Sequence, residues 1–276
     1  MLVACLGDVM LDVNVELEKP FISDDDTPAT ISFTAGGQAA NVAAWVVALG
    51  GQARVFGPRA DTASGHLVEG VLTGLGVEVC GTATGRTGSV VSLVSSGGRA
   101  MASDPGDLSW LDDIRAGAWL EGAHWLFISG YALLRTSDPQ RLVETAAVAR
   151  AHGTRIAVDL SSAAMVSSYG ADEFSSLCRS LRPSVVFATD SEWATSPHGF
   201  GAGENAVLVL KHGAQGASFV IDGIPDDRSP VPGPVLDTTG AGDALAAGFL
   251  VGGVDLAMEA AARCIARRGA PPAEGS

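Results

Sequence analysis

Short runs of apolar residues alternate along this chain with stretches whose apolar positions recur every three or four residues. LVACLG (2–7), ARVFG (53–57), HWLFISG (124–130), RIAVDL (155–160), SVVFAT (184–189) and AVLVLK (206–211) are apolar runs of strand length, as expected of strands covered on both faces. SFVID (218–222) predicts a further strand. VNVEL (13–17) and ATISFT (29–34) alternate apolar with polar, the mark of strands wet on one face, with the acidic turn SDDDTP between them. VVSLVSS (90–96), Gly97-Gly98 and RAMAS (99–103) predict a hairpin with a glycine turn. Helical spacing marks QAANVAAWVVALG (38–50), HLVEGVLTGLG (66–76), DALAAGFLVGG (243–253) and a last helix from about Leu256 to Arg268. Another helix has a well-marked start: Asp138 as N-cap, Pro139 at the first position, Leu142, Val143, Ala146 and Ala147 on one face, and Gly153 as stop. GAPPAEGS (269–276) predicts a disordered tail.

Strands alternating with helices predict one α/β domain: a mostly parallel sheet covered on both faces, with no repeat and no interdomain linker in its 276 residues. The half-wet strands predict a small antiparallel flap at one edge of that sheet. The charge is 17 basic against 31 acidic residues, a net of −14, which argues against a binder of nucleic-acid backbone. A local site can still hold a small anion against that field. Cys5, Cys80, Cys178 and Cys264 show no CxxC spacing, so neither zinc nor a disulfide framework is signalled and a reduced cytoplasm fits. The start MLVAC lacks the charged and apolar stretches of a lipid-anchored leader, and no apolar run is long enough to span a membrane.

The two lysines, Lys19 and Lys211, do not follow a glycine, so a Walker A loop is absent. There is no GxGxxG after a strand, no HExxH and no GxSxG. What remains is DTTGAGDALAAGFL (237–250). Gly240, Ala241 and Gly242 can turn several backbone N–H groups toward one point, where a helix N-terminus adds partial positive charge. That is a cradle for a transferring phosphoryl group, and Asp243 beside it suits the proton of an attacking hydroxyl. An Asp at a helix start is also a common cap, and these residues alone leave both roles open. The same holds for Asp12 as a turn residue, Asn41 as a helix starter and Lys211 as a solvated strand end.

DTTGAGD with its apolar helix resembles the C-terminal signature of the PfkB, or ribokinase-like, carbohydrate kinases. AGGQAANVAAWVVALGG (35–51) resembles their N-terminal double-glycine signature. GDVMLD (7–12), RTGSVVSLVSSGGRAM (86–101) and VLKHGAQGA (209–217) resemble the first strand with its substrate turn, a lid segment and the nucleotide-side strand. The likeness runs to about Ala270. It implies a ribokinase-like three-layer α/β/α fold with a mostly parallel central sheet and a small antiparallel β lid from segments 12–35 and 86–104. It implies an ATP- and Mg2+-dependent phosphotransferase acting on a hydroxymethyl group of a small sugar. Exposed lid strands are edge liabilities, so a homodimer paired through the lid is expected. By position, Asp243 matches the general base and Gly240, Ala241 and Gly242 the anion hole. Asp12, Gly37 and Asn41 match sugar contacts, and Lys211, Gly213 and Gly216 the nucleotide edge.

Some positions depart from the family pattern. An Asn-x-x-Glu element that helps place magnesium in many members reads Thr189-Asp190-Ser191-Glu192 here, so Glu192 is kept and Asp190 is a candidate to compensate for the lost Asn. Asp237 and Thr239 keep part of the pattern for a monovalent cation such as K+. Met10 and Gly130 stand near where ribokinases proper carry a polar residue and an acid. DPGDL (104–108) replaces a common Gly-Ala-Asn run, and the final helix is short. Two alternatives follow. One is a nucleoside acceptor, with Phe33, Met101 and Tyr131 as a platform for the base. The other is a non-catalytic member that only binds sugar or nucleotide.

Overall fold

The computed structural model describes residues 1–83, 85–95, 98–196 and 206–272. The chain opens with β1 (Leu2–Leu6), β2 (Met10–Leu17) and β3 (Ala29–Gly36), then α1 (Gln38–Ala48), β4 (Gln52–Phe56), α2 (Ala63–Gly74) and β5 (Glu78–Cys80). β6 (Gly88–Ser95) and β7 (Gly98–Asp104) precede β8 (Trp125–Ser129), α3 (Gly130–Arg135), α4 (Pro139–Ala151) and β9 (Arg155–Asp159). The last part holds α5 (Ala163–Tyr169), α6 (Ala171–Leu181), β10 (Val185–Thr189), α7 (Asp190–Thr195), β11 (Val207–Lys211), β12 (Ala217–Ile221), β13 (Ile224–Arg228), α8 (Ala241–Gly252) and α9 (Val254–Ile265).

Among the described residues nine strands form the main sheet, in the order β13-β12-β11-β10-β9-β8-β1-β4-β5. From β11 to β5 the pairing is parallel. The continuous apolar runs follow from burial on both faces. Val3, Cys5, Phe127 and Phe187 pack with α1, α8 and α9, while Ala4, Leu6, Leu126 and Val186 pack with α4 and α6. The β11–β12 link spans residues 212–216, too few for a crossover, so β12 and β13 add antiparallel at the edge. No helix of the described residues is long and apolar enough to cross a membrane. All four cysteines are free thiols.

The flap is a second sheet, ordered β3-β2-β6-β7. Its outer pairs are antiparallel but β2 and β6 run parallel, so the sheet is mixed. The reason is connectivity: β2 continues from β1 and β6 from β5, and these source strands point the same way. The flap therefore rises from the carboxyl ends of β1, third in from one edge of the main sheet, and of β5, the edge strand itself, so it sits toward that edge as expected. The expected turn residue Gly97 lies outside the described residues.

Local chemistry moves several helix ends. Thr62 caps α2 by accepting from the Gly65 N–H at 3.3 Å, which starts that helix before His66. Asp138 precedes Pro139 as expected but does not cap: its carboxylate takes Arg141 at 2.8 Å instead. Gly253, at φ 83, ends α8 and begins α9 at once, so the last helix is Val254–Ile265. The tail is not loose at its start. Ala270 is buried, and its carbonyl accepts from Trp45 Nε1 at 2.8 Å. Residues 273–276 of the expected disordered tail lie outside the described residues.

Trp45 is itself buried on α1, so this bond ties the chain end to the core. Trp45→Phe leaves the Ala270 carbonyl with only the weak Cys264 Sγ–H donor at 3.8 Å and should lower stability by about 1–3 kcal/mol in urea unfolding. A loss within experimental error would show that the indole bond is dispensable.

Candidate active site

The parallel strands end on one side of the sheet, where α/β proteins hold ligands. Asp8, Ser129, Asp159, Thr189 and Lys211 all stand at or just past these carboxyl ends. The lid faces them across a cavity of about 540 Å³. Strand register puts Asp12, Asn14, Ser92 and Ser103 on the lid face that lines it. Asn41, Thr239, Gly240 and Asp243 line the other side.

The glycine turn begins α8. Gly240 is its N-cap residue at φ 76, and a side chain there would meet Ala270 Cβ at 2.6 Å. Positive φ is thus needed at Gly240 and not at Gly242, whose added Cβ would only touch Lys211 at 3.4–3.5 Å. Asp243 is the third helical residue, and α8 has no side-chain cap. This removes the capping role. The amides of the first turn have no preceding helical carbonyl and point out of the helix end. That of Ala241 leans on Thr238 O at 3.3 Å, which leaves 242 and 243 as the better-placed donors.

Asp243 accepts from Asn41 Nδ2 at 2.9 Å. Burial pushes its carboxyl up to about 7; Asp159 and Asp12 add to this, while the Asn41 bond and Lys211 oppose it. Asn41 Oδ1 is buried without a protein partner, an acceptor left over beside the base. Gly36 makes room for Asp12, since a Cβ there would lie 2.2 Å from its carboxylate. Gly37, at φ 92, lets the start of α1 approach the Asp8 carbonyl.

Lys211 is no solvated strand end. Its side chain is 13% exposed and donates to Asp159 Oδ2 at 2.7 Å. Burial works against its charge, but Asp159 and Glu192 outweigh it and hold the ammonium above its usual range. Gly213 and Gly216, at φ 58 and 101, shape the turn that follows; a Cβ on Gly216 would meet the Arg228 carbonyl at 2.0 Å.

Thr189 and Glu192 form a capping box on α7. The Thr189 N–H donates to Glu192 Oε2 at 2.7 Å, and Thr189 Oγ1 accepts from the Glu192 N–H at 3.3 Å. Glu192 is buried and its carboxyl raised by that burial, against Lys211. Asp190 does not join it, but pairs with His212 Nδ1 at 2.7 Å nearer the surface. Among the described residues no group of three His, Cys, Asp or Glu side chains is gathered to hold a metal. Asp237 is occupied as well: Oδ1 accepts from Thr239 N and Oγ1, and Oδ2 from Gly269 N.

Sequence reasoning missed one wall of the cavity. Arg135 Nη1 donates to buried Asp8 at 2.9 Å and stacks 4.9 Å over Tyr131. Burial raises the Asp8 carboxyl in spite of Arg135. Gln38 and Ser161 line the same wall. The one available signal was an acid just past a predicted apolar strand. Met101 and Tyr131 line the cavity, but Phe33 does not: it is 56% exposed on the outer face of the lid.

Comparison with known proteins gives the family and the fold. Residues 1–269 match the family described as pfkB family carbohydrate kinase. A 5-dehydro-2-deoxygluconokinase of Geobacillus kaustophilus is 24% identical over 276 residues, covering 90% of this chain and 80% of that protein. The crystal structure of adenosine kinase from Sinorhizobium meliloti is similar with a TM-score of 0.80 at 25% identity, over 98% of this chain and 95% of that one. An uncharacterized sugar kinase from Pyrococcus horikoshii, solved in complex with ATP, also gives a TM-score of 0.80, at 20% identity over 98% and 94% of the two chains.

The position of Asp243 has a consequence for stability. Its carboxyl titrates at 3.8 when unperturbed and at about 7 in the fold, so the folded state holds this proton more tightly. The stability it contributes is fully present below the unfolded value and is lost as pH rises through about 7. Asp243→Asn should therefore gain stability over the wild type at pH 8, with the difference shrinking at pH 5, by urea unfolding at both values. An equal difference at the two pH values would show that burial does not raise this carboxyl.

Proposed function

The chain belongs to the pfkB family of carbohydrate kinases, and on that premise we propose that it transfers the γ-phosphoryl group of ATP to a hydroxymethyl group of a small sugar. One observation carries the reading: Asp243, with its carboxyl raised to about 7, lies beside the amide end of α8 on the cavity under the lid. A base poised near neutral pH can take the hydroxyl proton as the oxygen attacks phosphorus. The first-turn amides then take up charge on the transferring group, and Lys211 adds a fixed positive charge nearby. Asp12 and Asn41 Oδ1 are acceptors for sugar hydroxyls. Closure of the lid over the sugar would exclude water from the reaction.

Kinase magnesium is held mainly by nucleotide phosphates and needs one or two protein carboxylates. Glu192, close enough to Lys211 to raise its pKa, fits that role; Asp190, turned to His212, does not. Magnesium bound there would offset charge on the terminal phosphates. A monovalent cation beside Asp237 would add to the Thr239 N–H, Thr239 O–H and Gly269 N–H donors that its carboxylate already accepts.

A nucleoside acceptor is the second reading. It rests on Tyr131 in the cavity wall and on the likeness to an adenosine kinase. The sugar is favoured because Tyr131 is the one aromatic of the wall among the described residues, while Asp12, Asn14, Gln38, Asn41 and Ser103 bring hydrogen-bonding groups to it.

Self-association through the lid is part of the proposal. Val13, Val15, Ile31, Phe33, Val91 and Leu93 share the lid's outer face by register. Ile31 and Phe33 are 55% and 56% exposed there. An exposed apolar sheet face of this kind is suited to a second copy. Phe33→Asp should shift the protein toward monomer in sedimentation at fixed concentration. A wild type already monomeric, or an unshifted variant, would reject the lid interface.

The catalytic reading is tested by coupled ADP production over pentoses, hexoses, sugar acids and nucleosides. With the best acceptor, Asp243→Asn should lose about 10²–10⁴ in kcat, the usual cost of a missing general base. ATP affinity should survive, and the rise of wild-type rate with pH through about 7 should vanish in the variant. Near-normal kcat would remove Asp243 as the base.

A further inference from the structure

We propose that Gln38 is a specificity-determining residue whose side-chain amide N–H2 binds a carbonyl or carboxylate oxygen of the sugar, at the end remote from the phosphorylated hydroxymethyl group. This rests on the sugar-kinase reading above. Gln38 is the first residue of α1 and lines the cavity. Its Oε1 accepts from Ser129 Oγ and from Ser161 Oγ, each at 2.6 Å. That length belongs to O–H···O bonds and falls below the usual N–H···O range of about 2.7–3.2 Å. The amide oxygen therefore faces the two serines, and both of its lone pairs are used.

The serines are themselves held. Ser129 caps α3 and accepts from the Tyr131 N–H at 3.2 Å. Ser161 sits at φ 67, with its N–H on Asp159 Oδ1 at 3.0 Å; its one hydroxyl proton has the Asp159 carbonyl at 3.2 Å as a second acceptor, and the 2.6 Å contact to Gln38 is the shorter. A left-handed non-glycine residue is strained and persists only where its surroundings tie it down. With the oxygen edge fixed, the N–H2 edge is a donor that no protein acceptor takes among the described residues.

The cavity is thereby polarised along α1. Asn41 lies about 4.5 Å farther along the helix axis than Gln38. At the Asn41 end the carboxylates that line the cavity, Asp12 and Asp243, are acceptors. At the Gln38 end the Asp8 carboxylate also lines the cavity but is paired with Arg135 Nη1, and the donors beside it are the Gln38 amide and the further N–H groups of Arg135. The matching substrate has hydroxyls beside the reacting group and an acceptor-only oxygen at its other end. That describes a ketose or a sugar acid better than an alditol.

The test is coupled ADP production with ATP and two probe sets: D-fructose, D-gluconate and D-glucitol, then D-ribulose, D-ribonate and D-ribitol. The wild type should prefer the ketose or the acid over the alditol by about tenfold or more in kcat/KM, because a donor left without its acceptor is costly. Gln38→Glu still accepts both serine hydroxyls but offers the sugar an oxygen in place of N–H2. It should lose that preference, with the KM for ATP and the melting temperature unchanged. Should Gln38→Glu misfold, Ser161→Ala frees the amide to turn and should weaken the same preference. Turnover with a preference indifferent to both substitutions, or with the alditol equal to its partners, overturns this inference and leaves the kinase reading standing. No turnover of any probe by folded, ATP-binding enzyme overturns both.

Discussion

The hydrogen bond from Asn41 Nδ2 to Asp243 Oδ2 joins residues 202 positions apart at 2.9 Å. It requires α1 and α8 to lie against each other in one layer. Both helices bury small residues for this: Ala39, Ala40, Ala43 and Ala44 on one, Ala244, Ala246 and Ala247 on the other. Small side chains let the two first turns come close enough for one amide to reach one carboxylate. The bond lowers the cost of enclosing Asp243, yet burial still outweighs it and leaves the carboxyl near 7. The starts of α1 and α8 thus meet at this contact, and the lid, the glycine turn and the strand ends are arranged around it.

Charge is handled locally and not by the surface as a whole. A chain of net charge −14 is a poor general host for polyphosphate. Near the site, however, Lys211 is held under the start of α8 by Asp159, with Glu192 in range. An ammonium fixed by buried carboxylates keeps its charge where a free lysine in an apolar pocket would lose it. The amide end of α8 has the same sign. Together they set a positive patch beside a cavity lined by Asp8, Asp12 and Asp243.

The replacement of Asn by Thr189 also has a local account. A threonine is a good N-cap, and here it closes a reciprocal box with Glu192 at the start of α7. The substitution gives up an amide but keeps the carboxylate that follows it held in place. Asp190, next in sequence, is drawn off by His212 on the neighbouring turn. Adjacent acids in a motif need not share a site, because successive residues of a helix start point in different directions.

Apolar runs and their spacing were enough to predict strands, helices and a covered parallel sheet, because those patterns depend only on near neighbours and on burial of both faces. The glycine turn and Asp243 were legible for a similar reason: backbone freedom and a carboxylate sit together within DTTGAGD. The mixed pairing of the lid was not legible, since β2 and β6 are brought side by side by strands elsewhere in the main sheet. Nor was the wall of Asp8, Arg135, Gln38 and Ser161. Its bonds cross 127 positions from Arg135 to Asp8, 91 from Ser129 to Gln38 and 123 from Ser161 to Gln38. Lys211 read as a strand end until Asp159, 52 positions away, was seen to hold it. Polar side chains such as these have several partners open to them in an unfolded chain. Only the parallel order of the strands, which gathers their carboxyl ends in one place, chooses among those partners.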